Sequence, residues 1–185
     1  MIPFFDKIVH HFKHLGVGAA AAAGDVTNET RLDSQAGDRS WCEHQWAICV
    51  FDDVIENGGP ACIRYKDFFL PLMTEGLQSQ HPEVRQAAAY GWGVLGQCGG
   101  EAFARTCADV LPHLRAMIEA ANSRSSENVN ATENAISAVT KILQHNRSCI
   151  NVDEVLPVWF KWLPVYEDEE ELPHVYGFLM LLLEK

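Results

Sequence analysis

Apolar positions along this chain recur at three- and four-residue intervals, in segments of about fifteen residues punctuated by glycine, proline and small polar residues. Between 82 and 98 the set Val84, Ala87, Ala88, Gly91, Leu95 and Cys98 falls on one side of a helical wheel. That is the pattern of an amphipathic helix burying one stripe. Pro82 suits its first turn, where an amide has no intrahelical acceptor to lose, and Gly99-Gly100 suit its end. The small residues of the stripe predict a neighbouring helix at close range. Shifted by 40 residues, the template falls on Glu43–Asn57, again followed by glycines (Gly58, Gly59). Shifted by 45 the other way it falls on Asn128–Gln144, with Val129, Thr132, Ile136, Val139 and Leu143 facing in.

A second pattern interleaves with the first. Leu-Pro occurs at 70/71, 111/112 and 156/157, spaced by 41 (111 − 70) and 45 (156 − 111) residues, each time a few residues after an acid: Asp67, Asp109, Glu154. Proline in a first turn costs no backbone hydrogen bond, so each pair is expected to open the first helix (helix A) of a repeat, a kink slightly further in being the alternative. A helical period in the forties is that of HEAT and armadillo arrays. The fold class expected is therefore all-α, an α-α superhelix of about four helical pairs at about 2–58, 61–99, 101–146 and 152–185. The first pair is interrupted at 16–38 by a glycine- and alanine-rich stretch that reads as a flexible inserted loop. Leu172–Leu183 is expected as the last helix, with Phe178, Leu179, Leu182 and Leu183 in need of a neighbour. Solenoids end in polar capping repeats and neither end here looks polar, so the chain is expected to be a section of a longer array or a truncated gene product.

Composition narrows the function. A net charge of -11, from 14 Lys and Arg against 25 Asp and Glu, argues against nucleic acid, which demands a concentrated basic surface. No apolar run reaches the length of a membrane span. The six cysteines are scattered without a CxxC and are expected to be reduced thiols in a cytosolic or nuclear compartment. No catalytic constellation emerges, and no cofactor or metal site is expected. His10, His11 and His14 lack a third ligand and an HExxH pattern. GWGVLGQCGG lacks the flanking strand and Lys-Ser/Thr of a phosphate loop and reads as close helix packing. The three Asn-x-Ser/Thr matches at Asn28, Asn130 and Asn146 are expected to be chance in a chain without a secretory signal. Glu167–Glu171 reads as a solvated acidic loop, with attraction of basic partners as its functional alternative. Trp159, Phe160 and Trp162 read as packing between repeats.

Longer strings carry a resemblance. HQWAICVFDDVIENGGP (44–60), PEVRQAAAYGWGVLGQCGG (82–100), ENVNATENAISAVTKI (127–142) and NVDEVLPVWFKWLPVYEDEEE (151–171) resemble the C-terminal HEAT-repeat region of the karyopherin-β family, in its importin-5-like branch. The resemblance runs from about residue 40 to the end, and 1–15 looks like the preceding A helix. It implies a nuclear transport receptor that shuttles between cytoplasm and nucleus. Its implied partners are cargo with basic nuclear localisation signals, the GTPase Ran in its GTP form, and phenylalanine-glycine nucleoporins received in slots between adjacent A helices. The repeats that principally bind Ran in the family have no counterpart here, so a protein-binding scaffold without autonomous transport is the alternative.

Register arithmetic gives a candidate binding surface. Arg85, Ala89, Trp92 and Gly96 lie off the packing stripe, and the two shifts bring Gln45, Cys49, Asp52 and Glu56, and Asn130, Asn134, Ser137 and Lys141, into line with them. Equivalent positions of stacked repeats form a ladder. This one is expected to face outward, with Gln45, Asp52, Glu56, Arg85, Trp92, Asn130, Asn134 and Lys141 as its protein-binding members. The competing reading is a plain solvated face with Trp92 partly buried.

Overall fold

The computed structural model describes residues 40–184; the helix expected over 1–15, its histidines and the insertion at 16–38 lie outside them. Within that range every element is helical: α1 (Ser40–Gly58), α2 (Lys66–Gly76), α3 (Pro82–Cys98), α4 (Ala104–Ile118), α5 (Val129–His145), α6 (Val152–Trp159) and α7 (Leu172–Leu183). Short 3-10 segments at Gly59–Tyr65, Glu101–Phe103 and Phe160–Trp162 adjoin α2, α4 and α6. None of these helices is long and apolar enough to cross a membrane.

The second helices of the pairs, α1, α3, α5 and α7, lie side by side in chain order as one layer. α2, α4 and α6 form the other layer, packed on α3, α5 and their neighbours rather than extensively on one another. Glycine sets the spacing of the first layer. A Cβ on Gly96 would stand 2.5 Å from Cγ1 and 3.2 Å from Cα of Ile142, and one on Gly93 would stand 3.1 Å from Cα of Ala138. α3 therefore approaches the backbone of α5 more closely than any side chain would allow. On its other flank Gly91 lies under the Asp52 carboxylate of α1. Across the layers the core is continuous: Phe51, Phe69 and Phe103 are buried and stack in a row, with centroids 6.1 and 6.0 Å apart. Such tilted ring pairs add about 0.5–1.5 kcal/mol each beyond the area they bury.

The prolines of the Leu-Pro pairs correct one expectation. Pro71, Pro112 and Pro157 lie inside α2, α4 and α6, not in their first turns. Each forfeits a bond to the carbonyl four residues back. All three are exposed, so water can hydrate the freed carbonyl and the helix survives. At the C-terminal end Phe178 is buried, whereas Met180, Leu181 and Leu183 are 56%, 45% and 72% exposed.

Candidate functional site

Of the eight ladder positions, four do not face solvent. Asp52, Trp92, Asn134 and Lys141 are buried, between 2% and 4% exposed. The expectation of an outward face is corrected there: these positions point into the seam between adjacent second helices. The cause is the close approach just described, which brings the next helix to where a wider array would leave water. Gln45 and Arg85 are half-buried, and Glu56 and Asn130 are exposed. Arg85 is held in place, donating to the Ser79 carbonyl at 2.6 Å and to Oδ1 of Asn128.

Burial in the seam has electrostatic consequences. Desolvation first, and then the neighbouring charges of Asp53 and Glu56, hold the Asp52 carboxyl well above its usual range. One of its oxygens has no hydrogen-bond partner, nor has the indole nitrogen of Trp92. Tyr90, half-buried beside them, is pushed up to about 12 by burial and by Glu56, Glu171, Asp52 and Glu170 in turn. Lys141 lies 5.0 Å above the Tyr90 ring and is bonded at 2.8 Å to Glu171, which Ser137 also contacts. Asn134 donates to Asp168 at 2.6 Å. The third rung of the ladder is therefore spent on the segment that leads into α7.

Among the described residues, concave surfaces remain open. A cleft of about 360 Å³ lies between α4 and α6, with Leu111, Pro112, Val139, Ile150, Val155 and Val158 among its walls and Trp162 at one end. It exists because α4 and α6 both rest on α5 and are splayed apart. The half-buried Leu111, Val155 and Val158 are the signal that sequence reasoning missed, apolar side chains that pack on the core yet leave one side in the cleft. A broader groove of about 680 Å³ runs between the turns after α2 and α4, with Arg85, His113, Met117 and Asn122 on its walls. Trp159 is wholly buried, its indole donating to Thr140 Oγ1 at 2.8 Å and its ring set edge-on to Phe178 at 5.4 Å. Trp162 is also buried, while Phe160 is 44% exposed. Among the described residues no group of three or more His, Cys, Asp or Glu could hold a metal ion.

Residues 69–99 match the HEAT repeat model. Importin subunit beta-3 of Saccharomyces cerevisiae is 37% identical over 140 residues, 75% of this chain and 13% of that protein. A probable importin-5 homolog of Dictyostelium discoideum is 30% identical over 131 residues, 66% of this chain and 12% of its own length. Among solved structures, the karyopherin Kap121p bound to the SUMO protease Ulp1p superposes with a TM-score of 0.69 at 35% identity, covering 76% of this chain and 13% of Kap121p. Kap121p bound to RanGTP gives 0.68 at 30% identity over 82% of this chain and 15% of its own. Kap121p bound to Nup53p gives 0.66 at 30% over 80% and 15%. The chain spans about an eighth of the length of the curated relatives it matches. Its helix order, its repeat and its agreement with these relatives show that, over about three quarters of its length, the chain is homologous to the importin β-family karyopherins.

Proposed function

We propose that this chain is a section of a nuclear transport receptor whose work is to bind proteins during import into the nucleus, in exchange between cytoplasm and nucleus. The observation that carries this reading is the apolar cleft between α4 and α6, on a scaffold whose relatives are named importins. A cleft of this size, walled mostly by apolar side chains beside Arg115, Asn151 and Glu154, accepts one aromatic side chain of an extended peptide, and burying it supplies about 1.5–3 kcal/mol per residue. A phenylalanine-glycine nucleoporin repeat presents such a side chain on a flexible backbone. The acidic surface, with Glu56, Glu167, Glu169 and Glu170 exposed, favours cargo with basic localisation signals by electrostatic steering. Of the ladder, Gln45, Glu56, Arg85 and Asn130 are the members left to touch a partner.

Immobilised phenylalanine-glycine repeats, Ran-GTP and a basic cargo peptide, each tested against the 185-residue chain, separate the readings. Retention on the repeats, lost in Val158→Asp while the circular dichroism spectrum is unchanged, is the expected result. Retention that Val158→Asp leaves intact would remove the cleft from the mechanism. A folded chain that binds none of the three would favour a scaffold without autonomous transport.

A further inference from the structure

We propose that residues 163–171 act as a strap that fuses α5 and α7 into one rigid unit, leaving the α1–α3 seam as the place where the array yields. The strap leaves the 3-10 segment after α6, turns at a cis Leu163-Pro164 bond and crosses α5 before entering α7. It is bound at five points.

The central point is Glu133 of α5, whose side chain is 1% exposed. Its carboxylate accepts the backbone amides of three consecutive strap residues, Tyr166 at 3.1 Å, Glu167 at 2.8 Å and Asp168 at 2.9 Å. Successive amides turned to one side make a concave anion site, and here the anion is supplied from within the fold. Arg124 stands 3.5 Å from the same carboxylate and donates to the Trp162 carbonyl, closing the strap where it begins. Asn134 holds Asp168. At the far end the Lys141–Glu171 pair, 3% and 6% exposed at 2.8 Å, is protected from the salt that screens surface pairs. Tyr176 of α7 binds the strap from the other side, its hydroxyl donating to the Val165 carbonyl at 2.8 Å and accepting the Val165 amide at 3.2 Å.

Most of these bonds are charge-assisted or buried, and they are directional. A relative displacement of α5 and α7 breaks several at once and leaves ionised groups unpaired in the interior. The α1–α3 seam is built differently. Among the described residues no ion pair joins those two helices, and the Gly91 face offers Asp52 a smooth surface with one carboxylate oxygen unbonded. Apart from Asp52, the buried side chains of these two helices, among them Ile48, Ile55, Val84 and Ala88, are apolar, and their contacts lose no directional bond as the helices shift.

Native-state hydrogen exchange on the intact chain under graded denaturant tests the proposal. The amides of Tyr166, Glu167 and Asp168 are expected to exchange through the same opening as the centres of α5 and α7, with α1 opening separately and more readily. Arg124→Gln, at a side chain 41% exposed, is expected to accelerate exchange of the strap and α7 at least ten-fold relative to α5, and Glu133→Gln to accelerate it further. Strap amides that exchange as fast as those of the exposed turn at 119–127 in the unaltered chain would overturn the proposal. So would an Arg124→Gln chain in which every helix is accelerated alike. Should Glu133→Gln fail to fold, Arg124→Gln alone decides.

Discussion

Asp52 shows how one side chain records its neighbourhood. Its carboxyl is lifted by burial first and by the charges of Asp53 and Glu56 next, so the folded chain holds this proton more tightly than the unfolded chain does. The stability linked to it is present at low pH and is lost as pH rises through the raised folded value. Thermal unfolding followed from about pH 4 to about pH 8, a range that begins at the ordinary carboxylate value, is the measurement. Asp52→Asn is expected to match the unaltered chain at the acid end and to melt higher at the alkaline end. Two glycines make the opposite kind of comparison. Gly96 faces the backbone of Ile142, whereas a Cβ on Gly177 in α7 would meet nothing within 4 Å. Gly96→Ala must push two helices apart and is expected to cost about 1–3 kcal/mol. Gly177→Ala relieves a helix of its poorest residue but one and is expected to gain up to about 1 kcal/mol. Chemical denaturation of the two variants checks both signs.

At the scale of the element, what the linear pattern conveys is angle, and what it withholds is distance. The bounds of α3 and α7 follow from Pro82 at a first turn, the glycines after Cys98 and the apolar period of 172–183, all local features. The Leu-Pro pairs recur at the right spacing, yet α2 and α4 open earlier, after 3-10 segments of which one carries a proline, Pro60, and the other none. Register arithmetic alone places Asp52, Trp92 and Ser137 at equivalent positions, and all three are buried. Whether such a place meets water depends on glycines in a different helix, Gly91 for Asp52 and Gly93 for Lys141, and no single-helix wheel contains them. The same holds for Lys141 and Glu171, thirty residues apart, whose pairing requires the strap. Lys141→Met leaves Glu171 buried without its countercharge and is expected to cost about 3–5 kcal/mol. Adding Glu171→Leu is expected to restore most of that loss, and a double-mutant cycle by denaturant unfolding measures the difference.

Taken as a whole, the molecule has two layers with different duties. The layer of α1, α3, α5 and α7 is closely spaced, and Asn134, Ser137 and Lys141 of α5 are spent on internal contacts. The layer of α2, α4 and α6 is splayed, and it is there that apolar walls stay open to a partner. Loss of nucleoporin-repeat binding in Val158→Asp and differential exchange in Arg124→Gln each interrogate one layer. The glycines of α3 carry one more implication, for the order of events as the chain folds. With Gly91, Gly93 and Gly96 in seventeen residues, this segment gives up about 2–3 kcal/mol of helical preference relative to alanine, so on leaving the ribosome it has little structure to offer its neighbours. α5 has no glycine of its own, but its run of Val, Asn, Thr, Ser and Ile is also weakly helix-forming, so both helices depend on the packing between them. Formation of α3 and formation of α5 are therefore expected to be one coupled event, each helix taking its shape from the other.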